Sequence, residues 1–118
     1  MINVYDIFSV RGCYANPDYK EILKLDAMLT EANIPHVLER MFDGWRICYP
    51  EDYDSGNIVM DAIQHHGSYG NSHDRIEIMG LLTPEEEECD SVAGWLTADD
   101  VFGRIQKHYL SIKEEVSK

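Results

Sequence analysis

The sequence has few basic residues. Ten Lys and Arg face 22 Asp and Glu, a formal net charge of −12. A field of that sign repels nucleic acid and anionic lipid, so direct binding to either is not expected, and a basic partner is favoured. Long apolar runs are missing as well. No stretch nears the roughly 20 residues of a membrane-spanning helix. The opening MINVYDIFSVRG lacks a basic start and a long apolar segment, so no signal peptide is expected and a cytoplasmic location is. Cysteine is scarce: Cys13, Cys48 and Cys89 are odd in number and far apart. That pattern argues against a disulfide framework and reads as small apolar packing residues in a reducing compartment. There is no Cys-x-x-Cys pair, no internal repeat and no low-complexity linker. No cofactor is expected.

What is present fits one globular domain over 1–118, with 44% apolar and 27% charged residues. The acidity is uneven. Residues 1–50 carry 7 acidic and 5 basic groups, net −2, while 51–118 carry 15 and 5, net −10. Acidity of this kind can serve solubility alone.

The stretch Ile58–Leu82 organises the chain: two short strands around a connection rich in Gly and His. Before it, loose alternation over Met1 to Val10 predicts a strand. Asn16-Pro17-Asp18 offers a cap, a first-turn proline and an acidic first turn, so the spacing of Ile22, Leu25, Met28, Leu29 and Ala32 predicts a helix over 17–32. Asn33 suits the left-handed position beyond it, and Pro35 prevents continuation. Alternation over 36–42 and 45–49 predicts a hairpin. Asp43-Gly44 supplies its turn, because both central residues of a type I′ turn need positive φ. A strand follows over 58–65, with a short helix as the alternative, and a short strand over 75–79. Thr83-Pro84-Glu85-Glu86 opens a short helix with a capping box. Val92 to Leu96 is an edge strand or packed loop. Thr97 opens a last helix with an apolar stripe of Val101, Phe102, Ile105, Tyr109, Ile112 and Val116. This order predicts an α+β fold: an antiparallel sheet of four to five strands with two main helices packed on one face.

The runs GWRICYP, AIQHHGSYG, EIMGLLTPEEEE and SVAGWLTADDVFGRI resemble a group of small uncharacterised acidic proteins from phages and mobile elements of Gram-positive bacteria. The resemblance spans roughly 15–105. It implies a genomic setting and carries no catalytic residue or cofactor.

Several residues could carry chemistry. His65, His66 and His73 invite a metal, with Asp61 or Cys89. Adjacent strand residues point to opposite faces, so His65 and His66 cannot share one ion on a strand. Polar loop histidines are the plainer reading. The Gly67–Ser72 loop could cradle an anion through its N–H groups, but no Gly-Lys-Ser/Thr follows it, and a mobile hairpin loop is the simpler expectation. Ser68 lies in GSYG, which is not a nucleophile elbow. Residues 83–100 hold seven carboxylates, Glu85, Glu86, Glu87, Glu88, Asp90, Asp99 and Asp100, and no basic residue. Helix capping explains some of them, and a basic partner would explain the set. Trp45 and Trp95 pack in the core by default. Trp45, beside the Asp-Gly turn, is the better candidate for an exposed anchor.

These features point first to a small acidic interaction protein, a mobile-element inhibitor of a basic nucleic-acid-handling protein partner, and away from an enzyme. Its expected binding set is the seven carboxylates with Trp45. The alternative is a ligand- or metal-binding domain or enzyme built on the 61–77 hairpin, with Asp61, His65, His73 and Glu77 as its polar groups. Monomer and homodimer through a sheet edge both remain open.

Overall fold

The computed structural model describes residues 14–117, with side chains as far as Glu114. The strand expected over Met1 to Val10, and Cys13, lie outside the described residues.

The fold is α+β. Five antiparallel strands are β1 (Val37–Met41), β2 (Gly44–Pro50), β3 (Ile58–Gln64), β4 (Ile76–Met79) and β5 (Ala93–Leu96), and they lie side by side in chain order. The helices are α1 (Glu21–Glu31), α2 (Pro84–Cys89) and α3 (Ala98–Ser117). Residues opposite each other in an antiparallel sheet share a face. One face therefore carries Leu38, Ile47, Ala62 and Ile78, which stand in register across four strands. α1 buries Ile22, Leu25 and Leu29, and α3 buries Val101 and Ile105, in the same core as Ile47, Tyr49, Met60, Ile76 and Ile78. The other face carries Glu39, Arg46, Cys48, Asp61, Ile63 and Glu77.

α1 starts four residues later than expected. Asn16 does cap, but only an isolated turn: its Oδ1 accepts the Asp18 N–H and its carbonyl the Tyr19 N–H. The helix itself is capped from far along the chain. Asp74 Oδ1 accepts the N–H groups of Lys20 at 2.9 Å and Glu21 at 3.0 Å. Gln64, fully buried, accepts the Ile22 N–H at 3.0 Å and donates to Asp74 at 2.7 Å. The far end follows expectation. Asn33 takes φ 58°, and the bonds Asn33 N–H to Thr30 O and Ile34 N–H to Leu29 O close a Schellman motif.

The hairpin forms, but its turn sits one residue early. Phe42 and Asp43 are the central pair, with Phe42 at φ 55°. Gly44 is already in β2, opposite Met41, and needs to be glycine for a different reason. A Cβ there would lie 1.8 Å from the Gln64 carbonyl oxygen.

Thr83 and Glu86 make the expected capping box on α2. In α3, Ile112 is exposed instead of joining the stripe. A helix of 20 residues is about 30 Å long and outruns a sheet whose strands have seven residues at most. Val116 lies past the described side chains. Cys48 is buried, as expected of a small apolar residue, whereas Cys89 is exposed on α2.

Candidate interaction site

The loop between β3 and β4 is tightly built. His65 donates its N–H to Ser68 Oγ, and Ser68 Oγ donates back to the His65 carbonyl, at 3.0 and 2.9 Å. His66 donates to Asp43 Oδ1, Gly67 to His65 Nδ1, and Tyr69 to Glu77 Oε1. The N–H groups of Ser68, Asn71, His73, Asp74 and Arg75 go to carbonyls within the loop. A loop bonded this closely is not slack, and of the N–H groups from Gly67 to Ser72 only those of Gly70 and Ser72 lack an acceptor among the described residues. Ser68 is buried and its hydroxyl is closed on His65, so it has no nucleophile's geometry.

Asp43 ties the hairpin turn to this loop. It accepts from His66 and from the Tyr19 hydroxyl at 3.2 Å. Burial pushes its carboxyl up, but the hydrogen bonds from His66 and Tyr19 outweigh burial and hold it below its usual range. Burial pushes the imidazole of His65 down, helped by neighbouring His66. The Phe42 ring covers His65 edge-on at 5.0 Å.

The result is a rigid end of the sheet that presents aromatic side chains. Phe42 is 61% exposed, and Tyr69 and Trp95 are each 56% exposed. Trp95 holds a left-handed backbone, φ 62°, at an irregularity in the β4–β5 pairing. Its N–H donates to the Tyr69 carbonyl, and its ring lies 5.2 Å from that of His73. Gly94 and Gly70 let these backbones meet: a Cβ on Gly94 would lie 2.4 Å from Tyr69, and one on Gly70 2.9 Å from Trp95. The expected anchor, Trp45, is half-buried beneath the Arg40 guanidinium. The exposed tryptophan is Trp95. Strand alternation from Gly94 to Leu96 does not foretell this, because one left-handed residue resets the direction of the side chain. The run of Gly94 directly before an aromatic was the available signal.

The acidic segment divides in two. Arg104 binds Glu86 through two bonds, at 2.8 and 2.9 Å, and Asp100 at 2.9 Å. Hydrogen bonds from Arg104 and from Thr83 lower the Glu86 carboxyl to about 2. Asp99 lies 3.6 Å from Lys24. Glu85, Glu87, Glu88 and Asp90 are exposed. Among the described residues, no Lys, Arg or His makes an ion pair with any of these four. α2 and β5 share a shallow cleft of about 360 Å³ lined by Glu85, Glu86, Cys89, Val92, Ala93 and Gly94. The free carboxylates thus lead into the strand that bears Trp95.

Asp61, His65, His73 and Glu77 do not form one cluster. Asp61 and Glu77 share the sheet face that looks away from the helices' core, Asp61 opposite Cys48 and Met79, Glu77 opposite Ile63. Burial pushes Asp61 up, Arg46 opposes that, and Glu77 and Glu39 add to it. Arg46 is itself paired with Glu39 and lies over the Tyr53 ring. His65 is buried under Phe42, and His73 lies apart against Trp95. Among the described residues no three of His, Cys, Asp and Glu gather closely enough to hold a metal ion. Nor is any described helix long and apolar enough to cross a membrane.

Compared with protein families, with characterised proteins and with solved structures, the chain finds no match.

Proposed function

We propose that this chain is a non-enzymatic acidic interaction protein that docks on a basic protein partner through α2 and the Trp95 end of the sheet. One observation carries the reading: four carboxylates that have no counter-ion among the described residues run into a strand that holds out a tryptophan on a rigid backbone. The carboxylates supply steering and a fast encounter. The aromatic supplies the short-range anchor that interfaces concentrate their binding energy on. Glu85, Glu87, Glu88, Asp90 and Trp95 form the binding set. Glu86, Asp99 and Asp100 serve the fold through Arg104 and Lys24, and Trp45 serves the sheet.

A partner that handles nucleic acid fits this chemistry, because such proteins display Lys and Arg in clefts shaped for phosphates. Carboxylates crowded on α2 would take the place of those phosphates. A genomic setting in a phage or mobile element, which the runs quoted above imply only as a resemblance, would make such a protein an inhibitor acting in a host cytoplasm. The net charge of −12 favours an unlike partner over a second copy.

The test is affinity for a panel of basic DNA- and RNA-binding proteins at low and high salt, with two variants. Reversing Glu85, Glu87 and Glu88 to Lys is expected to slow association and flatten the salt dependence. Trp95→Ala is expected to speed dissociation by about tenfold or more. A panel member bound with no response to salt or to either change would sink the reading, as would no binding at all.

A further inference from the structure

Polar donors collect along one face of α3. Arg104, Lys107, His108 and Ser111 follow the i, i+3, i+4, i+7 spacing of one helical stripe. That stripe faces Leu81, Leu82, Thr83 and Pro84 across an open cleft of about 640 Å³, which Asp100 also lines. Leu81 and Leu82 pack on the core, so the apolar wall is anchored.

Arg104 fixes the two walls together. Besides Glu86 and Asp100 it donates to the Leu81 carbonyl at 3.1 Å. Two carboxylates exceed its single charge, so it offers no net charge to a ligand. Three donors remain. Lys107 is exposed and makes no ion pair or hydrogen bond among the described residues. Ser111 has a hydroxyl on the cleft. His108 is oriented from behind: its Nδ1 lies 2.8 Å from the hydroxyl of Tyr49. Tyr49 is buried, and burial pushes its phenol up, so its hydroxyl keeps its proton and can donate it to Nδ1. An imidazole that accepts at Nδ1 carries its proton at Nε2. The two ring nitrogens diverge, so Nε2 is turned away from Tyr49, and His108 lines the cleft.

We propose that this cleft binds an organic anion with a single carboxylate and an apolar tail. Lys107, the Nε2–H of His108 and Ser111 receive the carboxylate, and Leu81, Leu82 and Pro84 receive the tail. The ligand carries one charge because each further negative charge meets the repulsion of a chain at −12. The cleft volume lies within the range of small-molecule sites.

Amide chemical-shift titration of the full chain tests this, with hexanoate, hexylamine and inorganic phosphate. Hexanoate is expected to shift the amides of Leu82, Lys107, His108 and Ser111 saturably, and the other two to leave them in place. Lys107→Glu is expected to weaken hexanoate by about tenfold or more. Lys113→Glu makes the same charge change outside the cleft and is expected to weaken it by less than about threefold. A short apolar peptide with a free C-terminus, beside its amide, separates the sources. Tighter binding of the peptide acid than of hexanoate assigns the carboxylate to a chain terminus, and the reverse assigns it to a free acid. No saturable shift with either acid overturns the proposal. So do equal shifts with hexylamine or phosphate, or equal losses from the two lysine variants.

Discussion

Asp74 Oδ1 lies 3.0 Å from the backbone nitrogen of Glu21, across 53 residues of chain. The same oxygen accepts from Lys20 and from the Gln64 amide. Glu21 in turn accepts the Ala98 N–H at 2.7 Å, so the residue capped at the start of α1 caps the start of α3. Asp74→Ala is expected to destabilise the chain by about 2–4 kcal/mol, since two helix N–H groups and a buried amide lose their acceptor. Urea unfolding checks it. A loss below about 0.5 kcal/mol would mean that water caps α1 equally well.

The same carboxyl predicts a pH response. Burial would raise it, but the bonds from Gln64, Glu21 and Lys20 prevail and hold it below its usual range. Its contribution is therefore present above about pH 3.9 and is lost as pH falls through the depressed folded value. Glu86, lowered to about 2 by Arg104 and Thr83, adds to this between about pH 4.3 and 2. Within that window the unfolded chain binds the proton and the folded chain does not, so stability falls as pH falls. Glu86→Gln is expected to reduce the slope of stability against pH there by about one proton. Unfolding free energies measured across the window read this directly. An unchanged slope would show that the Glu86–Arg104 pair exerts no net pull on the proton.

Two glycines are expected to answer in opposite directions. Gly44→Ala drives a Cβ into the Gln64 carbonyl and is expected to destabilise by about 3 kcal/mol or more. Gly103 lies inside α3 with open space around its missing Cβ. Gly103→Ala is expected to stabilise by about 0.5–1 kcal/mol through helix propensity. Thermal unfolding of both variants settles the comparison.

Trp95 combines exposure with a left-handed backbone, a conformation that disfavours any side chain with a Cβ. Trp95→Gly is expected to leave stability unchanged or raise it by up to about 1 kcal/mol. The same variant is expected to lose partner binding. A large drop in melting temperature would assign Trp95 to the fold instead.

Local chemistry made much of the fold legible. The Thr83–Glu86 capping box, the Asn33 helix end and the alternation of β1 to β4 all depend on residues a few positions apart. What escaped depends on contacts between distant positions. The start of α1 is set by Asp74, and glycine at 44 is required by Gln64. For the site, the acidic segment was readable as composition, but its division was not, because Arg104 selects Glu86 and Asp100 through three-dimensional geometry. Trp95 was hidden by a single backbone angle. The polar stripe of α3 was present in the sequence, yet its partners at 81–84 lie on a separate segment.

Each of the five strands pairs with the strand beside it in the chain, so no pairing has to close more than the α2-bearing connection between Met79 and Ala93, and the entropic penalty of each closure is small. The cap on α1 belongs to another regime. During synthesis α1 is made before Asp74, and an 11-residue helix is marginal by itself in water. It has no Asp74 to cap it until the loop between β3 and β4 has been made. The first of the described helices is thus secured only after that loop.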